Sequence, residues 1–310
     1  MESLNRMAIE LADEAIDFAD ELNVGVRDLA NSATVLDFGV DHPGGLEAGL
    51  LLAELQTAGL ATVQSRLGSV VDTPRPVVEL ATDHPALALL CSAKAGWELS
   101  LGSFEGLGAG PARALVAEET IFDRVGYSDV FDLTVLTLEA TTLPDDAVAD
   151  RVADRTGVSP DGVYLPTYPT ASMAGSVSAA ARAAELAVFR LVEAGYDPLA
   201  VQSASGAAPV PPVAADEETA IARTTDALAY GGRACVTVEE DPGETPDVAS
   251  SAAEEFGTPL DDALGETDED VAAIPAGVFG PAQVTIDVLG GPTYVDGTTH
   301  ETVLAESFGL

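Results

Sequence analysis

Residues 171–195 read ASMAGSVSAAARAAELAVFRLVEAG and form the longest helical pattern in the sequence. The stretch is rich in alanine, the best helix former, and it ends at Gly195, since glycine commonly stands just past a helix. Arg182 and Glu185 are three positions apart, so a helix places them on one face. The pattern predicts one long helix that carries an Arg–Glu pair among alanines.

Helix and strand patterns alternate irregularly on both sides of this helix. The predicted helices lie at 3–22, 43–59, 84–96, 145–157 and 216–230, and the predicted strands at 34–40, 61–67, 76–82, 97–103, 132–140, 232–240 and 282–289. The Pro/Ala-rich residues 203–214 are predicted to form a loop, and the acidic residues 239–272 an exposed segment with a short helix. This order favours an α+β (mixed α/β) protein of two lobes over a regular doubly wound sheet.

The pattern restarts beyond Ile121, which places a lobe boundary near residues 115–130. We expect the first α/β lobe to hold residues 1–120 and to be completed by the C-terminal segment 275–310. The second α/β lobe, 121–274, carries the predicted helix of the Arg–Glu pair.

The charge of the chain excludes several classes of function. The 310 residues include 52 acidic and 13 basic side chains, a net charge of −39, and Lys94 is the only lysine. Such a surface repels nucleic acid and anionic membranes, while 47% apolar residues suffice for a folded core. Molar salt shortens the Debye length to about 3 Å and screens the self-repulsion. The dispersed charge predicts a salt-adapted cytoplasm, and recognition of a basic partner is the alternative.

Other features predict an intracellular protein without a metal. Cys91 and Cys235 each lie in an apolar run, as reduced buried thiols do. His42, His84 and His300 are far apart in sequence and have no metal-ligand spacing. The acidic start does not resemble a signal peptide, and no run of about 18 uncharged apolar residues is present to span a membrane.

Three short motifs suggest ligand contacts, each with a structural alternative. In GLGAGPARAL, Gly108 and Gly110 precede a helix with Arg113, an arrangement that suits an anion but also an ordinary tight turn. Lys94 ends a predicted helix, where an ammonium offsets the helix dipole or holds an anionic ligand group. Asp83 precedes a histidine and a proline, and it either caps a helix or belongs to an Asp–His dyad.

The Arg182–Glu185 pair is the best candidate for acid–base chemistry. Burial raises the pKa of a carboxyl group, whereas a neighbouring guanidinium lowers it and fixes its orientation. The alternative is an ordinary surface ion pair, worth only tenths of a kcal/mol.

The chain contains, in order from about residue 20 to the last residue, the stretches NSATVLDFGVDHPGGLEAGLLLAEL, GLATV, TDHPALALLCSAKAGW, GLGAGPARAL, YPTASMAGSVSAAARAAE, ASGAAPVPPVA, ARTTDALAYGG, GVFGPAQV and ESFGL. Taken together, these stretches resemble the methenyltetrahydromethanopterin cyclohydrolase family. The chain departs from the family in its near-loss of lysine and in segment 239–272. The resemblance implies a cytoplasmic, metal-free enzyme that uses no cofactor and hydrolyses the methenyl bridge of a tetrahydromethanopterin carrier. It also implies a pocket between the two lobes and a homotrimer.

The resemblance also implies roles for particular residues. Arg182 and Glu185 match the family's catalytic Arg and Glu, and Glu185 would act as general base and then acid. Lys94 and Arg113 would bind the anionic tail of the carrier. Weaker candidates for substrate contacts are Asp83, Gly108, Gly110, Ser172 and Ser176. The same reaction on methenyltetrahydrofolate and a non-catalytic pterin-binding protein are the alternatives.

Overall fold

A computed structural model describes residues 3–244, 246–250, 257–262 and 276–310 of the chain. The chain divides into two compact units. Unit 1 holds Met1–Thr62 and Ala86–Ser178, and unit 2 holds Val63–Pro85 and Ala179–Leu310. Each unit has one mixed β-sheet and packed helices, which confirms the predicted α+β class.

The elements are numbered in chain order. The helices are α1 (Leu4–Asp17), α2 (Ala19–Leu22), α3 (Leu46–Gln56), α4 (Ala112–Val116), α5 (Thr120–Val125), α6 (Asp146–Thr156), α7 (Met173–Ala180), α8 (Ala183–Glu193), α9 (Glu217–Gly231) and α10 (Glu301–Phe308), with a π-helical segment at Ala86–Ala93. The strands are β1 (Gly25–Asp28), β2 (Thr34–Asp37), β3 (Thr62–Val70), β4 (Thr73–Thr82), β5 (Trp97–Leu101), β6 (Phe104–Ala109), β7 (Thr134–Val135), β8 (Thr137–Glu139), β9 (Val163–Tyr168), β10 (Val201–Pro209), β11 (Arg233–Val238), β12 (Gln283–Val288) and β13 (Thr293–Gly297).

Helix ends follow from local side-chain chemistry. The Asp145 carboxylate accepts hydrogen bonds from the backbone N–H groups of Ala147 and Val148 at the start of α6. Gly157 ends the same helix at a φ of +75°, where a side chain would be strained. This confirms the predicted capped helix at 145–157.

The sheet of unit 1 is buried on both faces. Its described strands lie in the order β1-β2-β9-β8-β6-β5, and β7 also pairs with β9. Successive residues of β2 point to opposite faces, so Val35 packs with Trp97 and Leu138, whereas Leu36 packs with Leu52. Helices α1 and α3 pack against each other on the second of these faces.

The sheet of unit 2 has its described strands in the order β13-β12-β11-β10-β4-β3. Strand β10 is antiparallel to both neighbours, and in the β4 register Val77 pairs with Pro209 and Thr82 with Ala204. The prediction of a loop at 203–214 is therefore wrong up to Pro209. Alanine, glycine and serine have little strand propensity, but two flanking ladders satisfy the backbone of this segment.

The observed units differ from the predicted lobes. Strands β7, β8 and β9 belong to the sheet of unit 1, although they lie beyond the predicted boundary at 115–130. Strand β12 pairs with β11 in unit 2, so the segment 275–310 does not complete the first lobe. Strand order is set by pairing between distant segments, which an element-by-element pattern does not contain.

The predictions for the acidic segment 239–272 and for membrane-spanning helices can be compared only with the described residues. Most of the predicted acidic segment 239–272 lies outside the described residues, which there include only 239–244, 246–250 and 257–262. Across the described ranges, no helix is both long and apolar enough to cross a membrane.

Candidate active site

The predicted long helix is two helices with a break beside the Arg–Glu pair. Helix α7 ends at Ala180, and α8 begins at Ala183, so residues 181–182 form a turn. The Arg182 N–H donates to the Ala179 carbonyl at 3.1 Å, and the Leu186 N–H donates to the Arg182 carbonyl at 3.0 Å. Arg182 is therefore the residue that caps α8, and Glu185 lies in the first turn of α8.

Arg182 and Glu185 form a two-point ion pair. Arg182 Nε lies 2.9 Å from Glu185 Oε2, and Arg182 Nη2 lies 3.0 Å from Glu185 Oε1. The Glu185 side chain is 4% exposed, whereas that of Arg182 is 36% exposed. An ordinary surface pair would leave both side chains in water, so the surface alternative is wrong. The pair is a buried carboxylate held by a partly exposed cation.

The surroundings of the pair explain the burial of the carboxylate. Ala181, Ala183 and Ala184 are buried, and α8 packs on β10 and β11. Small side chains let the helix lie close to the sheet and cover Glu185. The first turn of a helix also favours a negative charge, because its backbone N–H groups and dipole point toward it.

Arg113 occupies a structural position. Its Nε and Nη2 bind the two Glu119 carboxylate oxygens at 2.7 Å each. Its remaining hydrogen bonds go to the carbonyl oxygens of Leu90 and Ser92, at 3.3 and 3.1 Å, and of Lys94. These five bonds match the five N–H donors of a guanidinium, and the side chain is 0% exposed. Its geometry therefore does not support the predicted role in substrate binding.

Lys94 lies at the edge of the same cluster. Its Nζ is 3.6 Å from Glu119 Oε2, and the side chain is 28% exposed. Burial raises the pKa of Glu119, but the hydrogen bonds and charge of Arg113, with the charge of Lys94, outweigh it and hold the pKa below its usual value. Lys94 is thus the cation of this cluster that solvent reaches.

The two predicted glycines have packing and turn roles. Gly108 lies on β6, where an added Cβ would be 3.2 Å from both Trp97 Cβ and Leu136 Cδ1. Gly110 has a φ of +110°, and its N–H donates to the Ser92 carbonyl at 2.9 Å. The sequence GLGAGP is therefore a strand followed by a tight turn, as the structural alternative predicts.

The remaining candidates lie in separate places. Ser172 caps α7, since its hydroxyl accepts from the Gly175 N–H at 2.9 Å and donates to the Pro169 carbonyl at 2.7 Å. Ser176 is buried on the same helix, whereas Asp83 is exposed.

The predicted site residues divide between the two units. The pair and Asp83 belong to unit 2, and the other candidates belong to unit 1. The structure brings Arg182 to Glu185, and it joins Lys94 to Arg113 through Glu119. The predicted pocket between lobes stays a prediction. Among the described residues, no group of three or more His, Cys, Asp or Glu side chains is placed to hold a metal ion.

Two buried polar centres in unit 1 are not among the residues predicted from the sequence. The Asp37 carboxylate accepts from the backbone N–H groups of Gly39, Val40, Asp41 and His42 at 2.6–3.0 Å. Although burial raises the pKa of Asp37, these bonds and the His42 ring hold it below its usual value. The sequence signal for this turn is an aspartate two residues before a glycine, Asp37 and Gly39, since an Asp side chain can accept from the backbone N–H two residues on.

Gln56 is the second centre. Its side-chain N–H donates to the Tyr168 hydroxyl, and its side-chain oxygen accepts from the Ser178 hydroxyl, both at 2.9 Å. The Ser92 hydroxyl donates to the Gln56 carbonyl at 2.6 Å. All four residues are buried, so the network fixes α3 against its neighbours in unit 1.

The chain is similar to known proteins over nearly its whole length. A family model described as Cyclohydrolase (MCH) matches residues 3–308. The chain is 60% identical over 310 residues to the methenyltetrahydromethanopterin cyclohydrolase of Halobacterium salinarum, with 100% of both chains covered. It is 38% identical over 320 residues to the protein of that name from Methanothermobacter marburgensis, again with 100% of both covered. The protein of that name from Methanospirillum hungatei is 34% identical over 318 residues, with 100% of this chain and 99% of the relative covered.

Proposed function

Since the chain belongs to the Cyclohydrolase (MCH) family and is a hydrolase that acts on a C–N bond, we propose that it hydrolyses 5,10-methenyltetrahydromethanopterin reversibly to 5-formyltetrahydromethanopterin. The names and full-length identity of its relatives support this substrate. The 60% identity to a Halobacterium protein also supports a salt-adapted archaeal member of the family.

The substrate carbon determines what the enzyme must supply. A methenyl bridge is a cationic amidinium carbon, which is already electrophilic. The enzyme must therefore supply two proton transfers: removal of a proton from the attacking water and delivery of a proton to the departing nitrogen. A single carboxyl group can do both in turn.

The buried Glu185 carboxylate is the observation that carries the proposed mechanism. As water attacks, a C–O bond forms and Glu185 accepts a proton. The bond between this carbon and one ring nitrogen then breaks, and the Glu185 proton passes to that nitrogen. The remaining hydroxyl proton is released to solvent as the formyl C=O forms. The negative Glu185 would also attract the cationic substrate.

Arg182 would orient and tune this carboxylate. A guanidinium fork fixes both carboxylate oxygens in one plane and leaves a lone pair on each for the water proton. Because Arg182 is partly exposed, its charge stays solvated while Glu185 is buried.

Glu185→Gln tests the assignment. The amide keeps the shape but accepts no proton, so we expect kcat to fall by about 10²- to 10⁴-fold. Hydrolysis breaks the conjugation of the methenyl compound, and its ultraviolet absorbance reports the rate. Glu193→Gln, an exposed position at the other end of α8, is the matched control and should keep the wild-type rate. A Glu185→Gln enzyme at the wild-type rate would refute the mechanism.

The same assay identifies the carrier. Side-by-side turnover of the methenyl forms of tetrahydromethanopterin and tetrahydrofolate should favour the first, as the names of the relatives suggest. Binding of either compound without loss of its absorbance would instead indicate a pterin-binding protein.

The surroundings and assembly of the enzyme belong to the same proposal. We infer a cytoplasmic enzyme that needs no cofactor and forms a homotrimer. Three chains of charge −39 repel one another, so the trimer should need salt. Light scattering across a salt series tests this, and a trimer unchanged into millimolar salt would contradict the role of screening.

A further inference from the structure

The first turn of α8 rests directly on the backbone of β10 at Gly206. A Cβ added at Gly206 would lie 2.4 Å from the backbone nitrogen of Ala184 and 3.0 Å from the Cβ of Ala183. Ordinary contacts of a Cβ lie at 3.4–4 Å. Even a methyl group therefore does not fit unless the helix or the strand moves by about 1 Å.

Of the two elements, the strand is the one held by backbone pairing on both sides. Gly206 pairs with Leu80 of β4 on one side and with Ala234 of β11 on the other, so two ladders fix its backbone. Helix α8, in contrast, begins directly after the turn at residues 181–182. A side chain at position 206 would thus displace the start of α8.

That start carries the ion pair. Ala184 directly precedes Glu185, and Arg182 caps the helix. A shift of the first turn moves the Glu185 carboxylate relative to its Arg182 fork and relative to the reacting carbon. Misplacement of a reacting group by about 1 Å costs up to about 10²-fold in rate.

We propose that Gly206 is a positioning residue. Because it has no side chain, the first turn of α8 can lie close to β10, and this distance determines where Glu185 is held. This inference rests on the proposed function. The alanines at 183 and 184 and the glycine at 206 form the two sides of one close contact.

Gly206→Ala tests the proposal. We expect kcat to fall by about 10- to 100-fold while KM changes much less, and the pH profile of kcat to shift with the new position of the carboxylate. Gly297→Ala in strand β13 is the control, since its added Cβ would lie 2.2 Å from the Ala282 carbonyl oxygen at a φ of +74°. It strains the same sheet at an edge strand, so it should lower stability and keep kcat and its pH profile.

If Gly206→Ala does not fold, a smaller change at the same contact can test the proposal. Ala183→Ser adds a single atom on the helix side of the same contact, and it should lower kcat in the same direction. A double variant then separates the two proposals. With Glu185→Gln in place, the second substitution should lower the rate no further.

Each outcome decides one proposal. A wild-type rate for Glu185→Gln refutes the proposed mechanism. A slow Glu185→Gln enzyme beside Gly206→Ala and Ala183→Ser enzymes of wild-type kcat and pH profile refutes the positioning role alone. Equal loss of kcat in Gly297→Ala also refutes it, because general strain then explains the effect.

Discussion

Asp226 offers a sharp test of how this acidic protein tolerates a buried carboxylate. The side chain lies on α9 and is 1% exposed. It accepts from the Leu260 N–H at 3.1 and 3.2 Å and is hydrogen-bonded to Ser307. Its pKa is raised to about 6, mainly by burial and further by the charges of Asp261 and Asp262, which together outweigh the lowering by the hydrogen bonds from Ser307 and Leu260. No ion pair to Asp226 is present in the described part of the chain.

The expected free energy follows from the pKa shift. The pKa rises from 3.8 to about 6, and each unit is worth about 1.4 kcal/mol, so the maximal effect is about 3 kcal/mol. Below 3.8 the carboxyl group is protonated in both states and contributes nothing to the pH dependence. Between 3.8 and about 6 only the folded state keeps the proton, so stability falls as pH rises, and above 6 the loss is constant.

Asp226→Asn removes this titration while it keeps the size of the side chain. Urea unfolding in molar potassium chloride, from about pH 4 to about pH 8, measures both proteins under constant screening. Relative to the wild type, the variant should gain about 2 to 3 kcal/mol of unfolding free energy over this range. Asp261→Asn is the control, and its difference from the wild type should change far less because position 261 is exposed.

Two results would contradict this reasoning. Parallel curves for the wild type and Asp226→Asn would mean that burial does not shift the titration. A wild type that gains stability over the variant as pH rises would mean that the carboxylate is held in its charged form.

Three further predictions concern unit 1. Lys94→Ala should raise KM much more than it lowers kcat, because the half-exposed ammonium would bind the carrier tail; steady-state kinetics measure this, and a pure kcat loss would argue against it. Arg113→Met should lower the unfolding free energy by about 3 kcal/mol in urea, because Glu119 loses its partner, and an unchanged midpoint would contradict a structural role. Asp37→Asn should destabilise by about 1 to 3 kcal/mol near neutral pH. Because the pKa of Asp37 is depressed, this deficit should shrink as pH falls below 3.8, and a constant deficit would refute the titration.

The sequence predicted features that neighbouring residues determine. Asp145 and Gly157 define both ends of α6, as predicted. These signals act between neighbouring residues, so they do not depend on how distant parts of the chain pack. The strand at 201–209 was missed because it owes its conformation to β4 and β11, which flank it in the sheet.

The candidate site is predictable in its residue types and less so in its geometry. The spacing of Arg182 and Glu185 predicts that they share one helix face, and the structure pairs them, but the spacing does not predict the break before Ala183, since alanine and arginine both favour helix. The charge of Arg113 and its neighbouring glycines predict a cation that binds a ligand. The sequence does not show that Glu119 folds back onto Arg113.

The pairing of β4 with β10 bears on how the chain is made. Val77 and its partner Pro209 are 132 residues apart (209 minus 77). At a synthesis rate of about 5 to 20 residues per second, the β3–β4 segment leaves the ribosome on the order of ten seconds before its partner strand exists. During that interval its open edge is exposed to other nascent chains. We therefore expect the sheet of unit 2 to form late in synthesis. Mutations that slow the pairing of β10 with β4 should reduce the yield of folded protein before they reduce the stability of the protein that has folded.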